Sequence, residues 1–196
     1  LDHSLWKTID ARADIYSLGA TLYHIMTGRK PKPDENGNVS DIRLTGIKIN
    51  DIFAGKGITE FTYTKGNAEG IERTLEYLDK DFDGLCFINL VDYDMLYGHR
   101  RDIDGYAKAL TYFDQKLPEI LGKMREDDVL MITADHGCDP AYTKTTDHTR
   151  EHTPFIMYGK NIAPVNYGTR DSFSDIAATV LHYLGVEQGV AGKSLL

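Results

Sequence analysis

Two short runs constrain the fold of this chain more than any other feature: LCFINL at residues 85–90 and VLMIT at 129–133. Neither alternates apolar with polar residues, so neither suits a sheet with one face in water. Such strands are buried on both faces, as in parallel sheets covered by helices on either side. Helical spacing supplies the covering layers. Ile103, Tyr106, Leu110, Phe113, Leu117, Ile120 and Met124 recur every three or four residues across 102–125, and Ala68, Ile71, Leu75 and Leu78 do so across 67–80. Phe173, Ile176, Val180, Leu181 and Leu184 mark a last helix, PFIMYG at 154–159 a further strand, and GIKINDIF at 46–53 a strand running into a loop over 54–66. The expected architecture is α/β, a three-layer core around a mostly parallel sheet.

The chain changes character near residue 44. Residues 13–28, ADIYSLGATLYHIMTG, are apolar almost all round and read as a buried helix ended by Gly28. PDENGNVSD at 33–41 reads as a loop or linker. The expected division is therefore 1–45, a helical segment with its linker, and 46–196, the α/β part. The net charge of −8 does not suggest a nucleic-acid surface, and no Lys/Arg run resembles one, so no nucleic-acid partner is expected. No apolar run is long enough to span a membrane, and no signal peptide is recognisable. Cys86 and Cys138 are the two cysteines. Two are too few for a disulfide scaffold, and both read as reduced thiols of a cytoplasmic protein. The start at Leu1 reads as that of a fragment. The oligomeric state is not legible.

In an open α/β sheet, ligands gather beyond the carboxyl ends of the strands. Polar clusters lie at those places. VDYDMLYGHRRD follows the first apolar strand and carries Asp92, Asp94, His99 and Asp102. ADHGCDP follows the second and carries Asp135, His136 and Asp139. TDHTREHTP precedes PFIMYG and carries Asp147, His148 and His152. A single Asp-His pair could be a helix cap beside a surface histidine, and TDHTRE could be an Asx-turn or a capping signal. Taken together, three such clusters at three strand ends favour metal. Mixed carboxylate and imidazole donors suit zinc, manganese or magnesium, and separated sets suit a two-ion site for phosphoryl transfer. His3, His24 and His182 stand outside the clusters.

INDIFAGKGITEF, INLVDYDMLYGHRRDIDGYAKAL, ADHGCDP and TDHTREHTP, in that order, closely resemble the phosphopentomutase family of the alkaline phosphatase superfamily. The resemblance covers residues 46–196. It implies an isomerase that interconverts ribose 1-phosphate and ribose 5-phosphate, and the deoxyribose pair, using two Mn2+ ions and a phosphorylated threonine. By the same resemblance Asp94, His99 and His148 are ligands of one ion, Asp135 and His136 are ligands of the other, and Lys48 contacts the pentose phosphate. Thr8, Thr21 and Thr27 stand in the wrong context for the nucleophile, and neither the family's N-terminal aspartate ligand nor its cap domain is recognisable in 1–45. The core is expected to be incomplete, with conversion impaired and a metal-binding half-site as the alternative. IDARADIYSLGATLYHIMTGRKP resembles instead a helix of the Ser/Thr protein kinase C-lobe over residues 8–32, through Asp14, Ser17 and Gly19. A kinase fragment, lacking the Gly-rich loop, H-R-D and D-F-G, is the remaining alternative, with a chimeric chain as its corollary.

Overall fold

The structure is a computed structural model that describes residues 22–26, 42–45, 58–186 and 189–196. Its strands are β1 (Leu22–Met26), β2 (Ile42–Thr45), β3 (Glu60–Thr62), β4 (Leu85–Asn89), β5 (Val129–Thr133) and β6 (Phe155–Tyr158). Its α-helices are α1 (Asn67–Leu78), α2 (Ile103–Lys123) and α3 (Ser174–Leu184), and a π-helix spans Tyr93–Gly98. Among the described residues the six strands form one sheet in the order β3-β2-β4-β1-β5-β6.

The sheet is mixed, which corrects the expectation of a mostly parallel one. β2 is parallel to β3 and β4, but β1 is antiparallel to both β4 and β5, and β6 is antiparallel to β5. The expected helix over 13–28 is corrected in the same place: 22–26 is a strand. A continuous apolar run has no period to tell a buried helix from a buried strand, and pairing on both sides decided for the strand. The expected strand at 46–53 lies outside the described residues, as does Lys48. Strands from either side of residue 45 pair within this one sheet.

The register sets up one functional edge. Leu22 is paired with Asn89 on one side and with Thr133 on the other, so the last residues of β4 and β5 lie level. Thr133 is also paired with Phe155, the first residue of β6. The chain leaving β4, the chain leaving β5 and the chain entering β6 therefore meet at the same edge.

Helices cover both faces. Cys86, Ile88, Leu90 and Leu130 pack with Ile71 and Tyr77 of α1 and Phe113 and Ile120 of α2. Val129 and Met131, the alternate residues of β5, pack with Val180 and Leu184 of α3. Each fully buried aliphatic side chain contributes about 1.5–3 kcal/mol. Gly70 lets α1 sit close to the sheet, since a Cβ there would lie 2.7 Å from Leu90 Cδ2. The face of α2 is buried at Phe113 and Ile120, with Met124 buried just past its end, while Ile103 and Leu110, expected on it, are exposed. Pro118 stands inside α2 on an exposed position, where water can satisfy the carbonyl its missing N–H leaves free.

Candidate metal centre

The π-helix is the first device of the site. His99 donates its backbone N–H to Asp94 O at 2.9 Å, and Asp102 does the same to Tyr97 O, both five residues back. In a regular α-helix, residues five apart point about 140° away from each other. The wider turn brings Asp94 and His99 to one side, with Asp94 Oδ1 3.3 Å from His99 Nε2. His148, in the loop before β6, brings its Nε2 to 3.6 Å from the same oxygen. His136, just past β5, stacks on His148 with ring centroids 3.7 Å apart and 19° between planes. One ligand atom each from Asp94, His136 and His148 lies within 4.8 Å of the others.

The imidazoles are oriented as donors to a cation. His99 Nδ1 lies 2.5 Å from Thr146 O, and His136 Nδ1 3.1 Å from Gly137 O. A carbonyl only accepts, so in both rings Nδ1 carries a hydrogen and Nε2 is the atom that faces the centre. Each Nε2 faces a carboxylate oxygen, Asp94 Oδ1 for His99 and Asp135 Oδ1, at 3.5 Å, for His136. Imidazole nitrogens and carboxylate oxygens aimed at one another are a donor set that suits a divalent ion. Asp94 Oδ1 is buried with no hydrogen-bond partner, which costs about 1–3 kcal/mol or more for a charged group. The residues present thus fit a borderline or hard divalent cation. Cys138 lies beside Asp94; burial, and then the Asp94 charge, push its thiol pKa up and keep it neutral, leaving oxygen and nitrogen as the donors.

The other acidic residues of the three clusters are occupied with the backbone. Asp92 and Asn67 exchange hydrogen bonds, Asn67 N–H to Asp92 Oδ2 at 2.7 Å and Asp92 N–H to Asn67 Oδ1 at 2.9 Å, which pins the start of α1 to the π-helix. Asp102 caps α2 by accepting Gly105 N–H. Asp139 accepts Ala141 N–H in an Asx-turn. Asp147 accepts the N–H of His148, which holds its carboxyl below the usual carboxylate range. His152 is exposed on the wall of a cleft of about 980 Å³ that also takes in Asp135, His136 and Arg150.

Sequence reasoning passed over three residues that build the frame. Thr149 N–H bonds Gly137 O at 3.0 Å, Thr149 Oγ1 accepts Asp139 N–H at 2.6 Å and donates to Glu151 Oε2. Gly137 faces Glu151 so closely that a Cβ would lie 2.8 Å from Glu151 N. Thus the loops of His136 and His148 are stitched together. Arg101, between His99 and the α2 cap, adopts φ 56°, a left-handed conformation that costs a non-glycine residue about 1–2 kcal/mol. The signal available was the glycine in DHG and the Thr-Arg-Glu that follows DH at 149–151; nothing in the sequence marks the backbone of Arg101.

A sequence profile described as the metalloenzyme superfamily matches residues 35–188. A phosphopentomutase of Lachnoclostridium phytofermentans is 61% identical over 150 residues, covering 76% of this chain and 38% of that protein. One of Acetivibrio thermocellus is 57% identical over 196 residues, covering 97% of this chain and 47% of that protein. One of Clostridium acetobutylicum is 55% identical over 158 residues, covering 80% and 40%. The chain spans less than half the length of these relatives. The alignment covering 97% of the chain leaves too few residues to omit 8–32. The kinase likeness of that stretch, with the chimeric chain and the kinase fragment, is corrected accordingly.

Proposed function

The chain belongs to the metalloenzyme superfamily, and from that premise we propose that its chemistry is phosphopentomutase-type phosphoryl transfer, interconverting ribose 1-phosphate and ribose 5-phosphate and their deoxyribose counterparts. The observation that carries this reading is the group of Asp94, His99, His136 and His148 at one sheet edge, with a buried carboxylate oxygen of Asp94 opposed by imidazole nitrogens. Similarity to phosphopentomutases at 57–61% identity supports the substrate class.

In this reading Asp94, His99 and His148 hold one divalent ion, Asp135 and His136 a second, and Mn2+ is the ion. When bound, divalent ions supply charge that polarises phosphoryl oxygens and favours an ionised hydroxyl nucleophile. The chain's own part is to orient the His99 and His136 rings through their Nδ1 hydrogen bonds and to hold the five side chains in place before substrate arrives. The cleft beside Asp135 and His136 is large enough for a pentose phosphate and carries Arg150 on its wall. Lys48 is assigned to the sugar phosphate by resemblance. Residues 46–196 are the part of the family core that does this, in a cytoplasmic protein.

The test is calorimetric titration of the purified chain with Mn2+, then with ribose 5-phosphate in the presence and absence of Mn2+, with ribose 1-phosphate conversion followed by phosphorus NMR on the same sample. Mn2+ binding that tightens ribose 5-phosphate is expected. A chain that binds no Mn2+, or binds the sugar phosphate equally well without it, would sink the assignment.

A further inference from the structure

Arg101 spends every donor it has on one loop and one turn. Nε and Nη2 donate to Thr145 O at 2.9 and 2.5 Å, and Nη2 also to Asp147 O at 2.6 Å. Nη1 donates to Asp139 O at 2.9 Å and to Gly98 O at 3.1 Å. A guanidinium has five N–H groups, and five bonds are made. Three of the four accepting residues lie in the segment 139–147 that delivers His148, and His99 adds its bond to Thr146 O between them. Residues 141–148 are all exposed, so no buried apolar side chain anchors this stretch.

We propose that Arg101 is a positioning residue that clips the 139–147 loop onto the turn after the π-helix, and so sets His148 against Asp94 and His136. The inference rests on the reading of that group as a divalent-cation site. The left-handed backbone is what turns the guanidinium towards the loop carbonyls instead of along α2. Lysine, a single point donor, cannot span carbonyls on four residues. The carbonyls are on an exposed loop, so water satisfies them when the guanidinium is removed, and overall folding is little affected.

The test variant is Arg101→Gly, because glycine keeps the left-handed backbone without strain and isolates the side chain's role. Trypsin cleavage after Lys144, in the metal-free full chain, is expected to run at least tenfold faster in R101G than in the parent, with the same melting temperature within about 2 °C. Mn2+ affinity is expected to fall about tenfold or more in R101G and in R101K, and to recover in part when guanidinium chloride is added at millimolar concentration to R101G. Adding His148→Ala to R101G should lower the affinity little further, because both changes remove the same ligand. Unchanged cleavage at Lys144 overturns the clip. Faster cleavage with unchanged Mn2+ affinity, or independent losses from R101G and H148A, overturns its link to His148. A parent that binds no Mn2+ overturns the cation reading, and the cleavage comparison still decides the clip.

Discussion

Replacing Asp94 by asparagine separates what the centre costs the metal-free chain from what it gains from a cation. In the parent, Asp94 Oδ1 is buried without a hydrogen-bond donor, 3.3 Å from His99 Nε2 and 3.6 Å from His148 Nε2. An amide in its place has an N–H to offer His99 Nε2, and a hydrogen bond of that kind contributes about 0.5–1.5 kcal/mol. For a chain of this size 1 kcal/mol moves the melting temperature by about 2–4 °C. Metal-free D94N should therefore melt at the parent's temperature or a few degrees above it. With Mn2+ at about 100 times the parent's Kd, the parent gains about 2.7 kcal/mol, or about 5–11 °C. If the lost charge weakens binding about 100-fold, D94N gains about 0.4 kcal/mol at the same concentration, or about 1–2 °C. Thermal melts of both proteins with and without Mn2+ read all four values. A D94N that keeps the full Mn2+-dependent rise, or that melts several degrees lower without metal, would refute the reasoning.

The remaining expectations concern the parts around the centre. His148→Ala should lower Mn2+ affinity about 10–100-fold by calorimetry, whereas His182→Ala, on α3 with its Nδ1 at Ser194 Oγ, should leave it unchanged. Thr179→Val leaves Leu195 N–H without the Oγ1 that accepts it at 3.0 Å and should cost about 1–3 kcal/mol in urea unfolding. The backbone N–H of Lys193, then Arg170, hold the Asp175 carboxyl below its ordinary value of 3.8. Its stabilisation is complete above that value and is lost as pH falls through the lowered one. The gap in melting temperature between parent and Asp175→Asn should therefore be widest at neutral pH and close in strong acid.

Much of this molecule follows from period and composition. Strand β5 carries nothing but apolar residues and one threonine, and it buries both faces, as such a run must. The α2 spacing places Phe113 and Ile120 inward because three- and four-residue steps keep one helix face. The acidic and histidine clusters were legible because strand ends in layered sheets are where polar side chains converge. What the sequence by itself could not determine was direction. The run 22–26 has no period, so its choice of strand over helix, and its antiparallel place between β4 and β5, came from pairing with partners more than fifty residues away. Nor could it sort the clusters. Asp92, Asp102, Asp139 and Asp147 are the same residue type as Asp94, and the difference is that backbone N–H groups meet them while Asp94 turns inward on a π-helix. His136 stacks on His148, and Arg101 reaches across to carbonyls 38 to 46 residues on. Contacts of that span depend on how the sheet edge is assembled. Local sequence sets which groups are available, and the tertiary fold decides which of them are left without a partner for a metal to meet.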